Sequence, residues 1–168
     1  MFDKDTLRDE MLRECEIIRH LATKIPDGSD DWKPTEGQRT MLQFLRYLSF
    51  APLGGAGTAL ADDWAPYAEG EKGAAELRSD EFDAAMLAQK DALAALMDGI
   101  TDEQWANQTC HLPTGAEVPL WQGVFELSYR WLAGYRMQLF LYAKGAGNAE
   151  ISTANLWMGV DWKRPDAD

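Results

Sequence analysis

A chain of 168 residues with 46% apolar and 26% charged residues has the composition of a folded globular protein, and its length fits one domain with a real core. The formal net charge of −12 repels phosphate backbones and anionic lipid surfaces, so neither nucleic acid nor a membrane is an expected partner. Two cysteines far apart, Cys15 and Cys110, match no disulfide framework, and the chain opens on charged residues without an apolar leader. With no stretch long enough to span a bilayer, these features predict a cytoplasmic protein.

From Thr6 to Ile25 the apolar residues Leu7, Met11, Cys15, Ile18, Ala22 and Ile25 recur at steps of four and three, the seam of an amphipathic helix. Pro26-Asp27-Gly28 ends it. His20 falls on the polar face one turn after Glu16 and reads as a surface histidine paired with that carboxylate. Residues 30–34 form an irregular connector. A second helix runs from about Gln38 through Met41, Phe44, Leu45 and Leu48 until Pro52 breaks or kinks it. Gly54, Gly55 and Gly57 predict a flexible turn, followed by a helical piece reaching Asp62-Asp63.

A loop rich in Gly and Glu is expected over 66–77. Ser79 is a candidate N-cap for a third long helix with the stripe Phe82, Met86, Gln89, Leu93, Leu96, Met97 and Ile100. Thr101 and Gln104 read as a capping box for a short helix carrying Trp105. Residues 109–118 predict an extended loop or small hairpin around Gly115. Pro119 then opens a fourth helix that runs to Lys144, with Gly145 as its stop and Trp121, Val124, Ser128, Trp131, Tyr135, Leu139 and Tyr142 facing inward. Trp157 and Trp162 predict a tail that packs back on the body. Four long amphipathic helices in one domain over residues 1–168, with a short extra helix and a packed tail, make an all-α four-helix bundle.

Bundles of this kind often hold a metal between inward histidines and carboxylates, but this chain has only His20 and His111. It carries no His-x-x-x-His, Glu-x-x-His or Cys-x-x-Cys spacing. Cys110 and His111 are adjacent, and neighbours in an extended chain point to opposite sides. No third group to orient them is evident, and Cys15 sits on the apolar seam as a small hydrophobe. The glycine run lacks the lysine and the preceding strand of a phosphate-binding loop.

The stretch 131–139, with Trp131, Tyr135, Arg136 and Gln138, resembles the last bundle helix of the DinB-like superfamily, usually written His-x-x-x-His-Arg-x-Gln. Residues 38–48, ending Arg46-Tyr47-Leu48, resemble the family's second helix, where a histidine sits two residues after a leucine. His20 through Pro26 and Leu112 through Pro119 also match the pattern. The resemblance implies a DinB-like four-helix bundle and a homodimer. In many members three histidines hold a divalent metal, and some relatives are thiol transferases or isomerases. The three metal positions fall on Tyr47, Trp131 and Tyr135, so no metal and no other cofactor is expected. Trp131 and Tyr135, one turn apart, share a face and with Tyr47 either plug the old cleft or line a ligand pocket. The expected function is small-ligand binding or interaction without a metal centre. The alternative is a divergent enzyme in which the phenols donate hydrogen bonds and Arg46 or Arg136 holds an anionic group.

Overall fold

The computed structural model describes residues 3–162. Asp3 opens the first helix, its carboxylate accepting the backbone N–H of Thr6 and so satisfying a donor that a helix start leaves free. This helix, α1 (Lys4–Ala22), buries Leu7, Met11, Cys15, Ile18 and Leu21 along one stripe. Thr40 and Gln43 form a reciprocal cap for α2 (Met41–Leu48). Pro52 does not sit inside a helix. It occupies the first turn of a new one, α3 (Ala51–Ala61), where a missing N–H costs nothing.

Two expectations fail here for one reason. The glycine run is not a flexible turn, and residues 66–77 are not a loop, because Ala65–Ala74 form a helix, α4, that folds back on α3. A Cβ on Gly54 would press on the backbone of Tyr67, and one on Gly57 would press on Pro66. These glycines therefore form the contact surface between the two helices. Glycine costs about 1 kcal/mol in a helix interior, so packing overrides propensity here.

A 3-10 turn at Ser79–Glu81 leads into α5 (Phe82–Gly99), where Phe82, Met86, Gln89, Leu93 and Met97 are buried as the stripe predicts. Ser79 does not cap this helix; its hydroxyl donates to Asp30. Thr101 and Gln104 form the expected box at α6 (Asp102–Asn107). Strands β1 (Thr109–His111) and β2 (Glu117–Pro119) pair antiparallel with Cys110 opposite Val118, and Gly115 takes the left-handed conformation in the turn.

The fourth long run is not uniform. It comprises α7 (Leu120–Val124), a π-helical turn over Phe125–Tyr129, and α8 (Arg130–Gly145). A π turn inserts an extra residue, so the inward stripe moves on by one position beyond it. Leu132, Arg136, Leu139 and Ala143 are buried, while Trp131 and Tyr135 are half-buried at the edge of that face. Gly55 of α3 packs directly on this turn, where a Cβ would overlap the Leu127 carbonyl oxygen.

Helix α1 packs on α5 and α8, and α2–α3 close the opposite side against α5, the π turn and α8. A single large apolar cluster fills the interior. Arg19 with Asp83 and Lys90 with Glu16 tie α1 to α5. Glu16 is thereby engaged and does not pair with His20; the His20 Nε2 instead meets the Asn155 amide nitrogen at 3.0 Å. Asn155 belongs to the last helix, α9 (Thr153–Met158), which lies on α1 and α8. The tail packs back as expected, but through Ile151, Asn155 and Leu156. Its indoles stay outside, with Trp157 52% and Trp162 56% exposed. Among the described residues no helix is long and apolar enough to cross a membrane.

Candidate functional site

Tyr47 of α2 and Tyr135 of α8 meet edge to face with ring centroids 5.0 Å apart, and their hydroxyls share a hydrogen bond of 3.2 Å. Tyr67 of α4 joins them through Phe50, which stacks on both Tyr47 (5.7 Å) and Tyr67 (5.1 Å). Trp131 lies 6.0 Å from Tyr67 on the same side. All four of these side chains, Tyr47, Tyr67, Trp131 and Tyr135, are half-buried. A cleft of about 330 Å³ opens beside them, lined by Glu126, Arg130, Trp131, Gly134 and Tyr135. Glu126 and Arg130 form an ion pair on its rim.

Burial pushes the Tyr47 phenol well above its ordinary value, and the hydrogen bond with Tyr135 adds to the shift. Tyr67 is raised first by burial as well. These hydroxyls are therefore neutral donors at physiological pH. The Tyr67 hydroxyl also acts on Tyr47 as a hydrogen-bond partner, and three phenols joined by two such links hold one proton more than the links use.

The two arginines expected at this site are elsewhere. Arg46 turns its Nε to the Leu77 carbonyl at 2.8 Å. Arg136 is buried on the opposite face of α8, 2.7 Å from Glu14 of α1, with the Trp157 ring 4.7 Å from its guanidinium. The π turn explains this, since Arg136 rather than Tyr135 continues the inward stripe. In their place stands Arg39, just before the cap of α2, its guanidinium 4.3 Å from the Tyr47 ring centroid. Tyr67 was hidden by reading its segment as a loop, although Pro66 in a first helical turn is a legible start signal. A larger groove of about 560 Å³ lies behind Phe50 between α3, α4 and α5. Its buried polar group, Gln89, is already engaged with the Leu48 carbonyl and the Leu53 N–H, and the carboxylate of Glu69 lies on its exposed rim.

No family model and no curated protein sequence matches the chain. Among solved structures it is similar to the DinB-like protein YjoA of Bacillus subtilis, with a TM-score of 0.67 over 88% of this chain and 96% of that one, at 15% identity. The chain has the DinB-like fold. Within this DinB-like bundle, Tyr47, Trp131 and Tyr135 lie in one aromatic cluster with Tyr67. They do not suit a divalent metal. An indole has no lone pair to offer, and a phenol ligates best as the phenolate that burial of Tyr47 opposes. Among the described residues no three His, Cys, Asp or Glu side chains gather into a set that could hold a metal ion.

Cys110 and His111 point apart, as expected for neighbours in a strand. Cys110 is buried, and its thiol is raised by burial and then by Asp62. His111 is exposed and does have an orienting group: Asp62, at the end of α3, accepts its backbone N–H at 2.6 Å and meets Nδ1 at 2.9 Å. Asp62 has a left-handed backbone, φ 52°, uncommon for a residue other than glycine. The Asp62–His111 bonds fasten the hairpin to α3.

Proposed function

We propose that this DinB-like protein binds a small organic ligand in the cleft that Trp131 and Tyr135 line on the π turn and α8, beside the aromatic cluster with Tyr47 and Tyr67, without a metal centre. The observation that carries the reading is the Tyr47–Tyr135 hydroxyl pair, half-exposed beside Trp131 at the mouth of a cleft of ligand size. Phenols held protonated supply hydrogen-bond donors rather than a general base, which favours binding over the enzymatic alternative of a divergent thiol transferase or isomerase.

A fragment screen by thermal shift tests it, because a ligand that binds only the folded state raises the melting temperature. Hits should lose their effect in Trp131→Ala and Tyr135→Phe. Hits that stabilise those variants as much as wild type would move the site elsewhere.

We further propose that the protein works as a homodimer in the cytoplasm. Exposed Trp157, Met158, Val160 and Trp162 around α9 support the first point, as apolar surface suited to an interface. Two free buried thiols fit a reducing compartment. Sedimentation of a single 18.8 kDa species at micromolar concentration would overturn the dimer.

A further inference from the structure

A carboxylate and a neutral amide of the same shape would meet the aromatic cleft differently, and the difference rests on Arg39. Among the described residues no carboxylate is paired with Arg39, although the chain carries 28 acidic residues against 16 basic ones. Other arginines of the chain are engaged: Arg19 with Asp83, Arg46 with Leu77, Arg130 with Glu126 and Arg136 with Glu14. Arg39 instead lies over a phenol ring, its guanidinium carbon 4.3 Å from the Tyr47 centroid. An aromatic face does not satisfy the N–H groups of a guanidinium, and these groups match a carboxylate in parallel hydrogen bonds.

The phenols beside it have the same polarity. Tyr47, Tyr67 and Tyr135 are hydroxyl donors, and the links among them consume two of three protons. The charge of Arg39 also reaches the Tyr67 phenol, where it opposes the influence of Glu71. Four residues along α8, a rise of about 6 Å, separate Tyr135 from Trp131, which is the span of a benzene ring with one substituent. The wall beyond the donors is aromatic, formed by Trp131 and Tyr67.

Resting on the cleft reading above, we propose that the ligand is a small aromatic carboxylate. Its carboxylate takes the Arg39 N–H groups and the free phenol proton, and its ring lies against Trp131. Arg39 is then the residue that makes the site select an anion over a neutral ligand.

Benzoate and benzamide are the probes, since they share a ring and differ in charge. Calorimetric titration of the full chain gives the affinities, and backbone amide spectra locate the binding. Benzoate should bind more tightly than benzamide or acetate. Arg39→Gln, at an exposed position, should weaken benzoate by roughly tenfold or more, the scale of a lost hydrogen bond to a charged group, and leave benzamide unchanged. Arg39→Lys should recover part of the loss. Equal binding of the two probes, or an Arg39→Gln variant that holds benzoate like wild type, overturns the anion assignment, and so does failure of both probes to bind. Signals at Trp131 and Tyr135 that still move in the first two cases would leave the cleft standing. Probe binding unaffected by both Trp131→Ala and Tyr135→Phe would remove the cleft as well.

Discussion

Tyr135 and Arg136 are consecutive in the chain and occupy opposite environments. Tyr135 is half-buried, neutral, and faces a cleft through a hydroxyl pair. Arg136 is 7% exposed, charged, and sealed against Glu14 beneath the C-terminal helix. Glu14 is only 5% exposed, and this burial raises its carboxyl even with a guanidinium beside it. The Glu14 Oε2 and Arg136 Nε also lack a partner among the described residues. One helix thus separates a polar group open to a surface cleft from a polar group committed to the fold. A titratable side chain on a bundle helix can serve the core alone.

The comparison breaks most visibly at the buried pair. Glu14→Ala strands a guanidinium in the core and should cost about 3–5 kcal/mol by chemical denaturation, whereas Glu14→Leu with Arg136→Met should stay close to wild type or exceed it. A single variant as stable as the double one would show that the pair is wetter than it looks. Next comes the register shift that turns the two residues apart. Gly55→Ala drives a methyl into the Leu127 carbonyl and should cost about 3 kcal/mol, with changes in the near-ultraviolet signal of the aromatic cluster. A variant that melts like wild type would mean that the π turn yields freely.

On the open face the effects shrink. Trp131→Ala should cost roughly 2 kcal/mol, below the 3–5 kcal/mol of a fully packed aromatic, because the side chain is only half-buried and water can enter the space. Tyr135→Phe removes one neutral hydrogen bond and should cost about 1 kcal/mol or less. A larger loss than for Trp131→Ala would make the phenol pair a structural clamp.

The pH dependence of the roof over Arg136 sharpens the contrast. His20 faces Asn155 and Asp161 of the C-terminal segment and Lys24 on its own side. Burial first, then Lys24, lowers its pKa below the ordinary 6.5, with Asp161 opposing. The unfolded chain therefore binds this proton at a higher pH than the folded one, and stability falls as pH drops below 6.5 toward the folded value. His111 is raised by Asp62, so its contribution is present below 6.5 and is lost as pH rises through the raised value. Melting curves between about pH 5 and pH 8 should show the acid-side slope vanish in His20→Gln and the alkaline-side slope vanish in His111→Gln. Unchanged slopes would detach both histidines from stability.

Much of this architecture is legible in the sequence because its signals are local. The seams of α1 and α5, the Thr101–Gln104 box and the hairpin at Gly115 follow from spacing and turn chemistry, whereas the grouping of Tyr47 with Trp131 and Tyr135 comes from the DinB-like resemblance. What escapes is decided by tertiary contact. Gly54 and Gly57 resemble a hinge until α4 is seen lying on them, and with α4 goes Tyr67. Nothing in residues 125–129 announces a π turn, and without it Arg136 seems to share the cleft with Tyr135. Arg39 lies outside any helix, so no periodicity could bring it to Tyr47. The Thr40–Gln43 cap that places it was present as a signal.

The two thiols have a practical corollary. Burial pushes Cys15 up to about 12 and raises Cys110, whose sulfur fills the space above Gly123. Neither is a thiolate at neutral pH, and neither can reach an oxidant or a second molecule while the chain is folded. The native protein is therefore blind to the redox state of its buffer. Covalent multimers on a non-reducing gel, or uptake of a thiol-directed dye, count only molecules that have opened. The cysteines thus serve as a built-in chemical clock for the unfolded population.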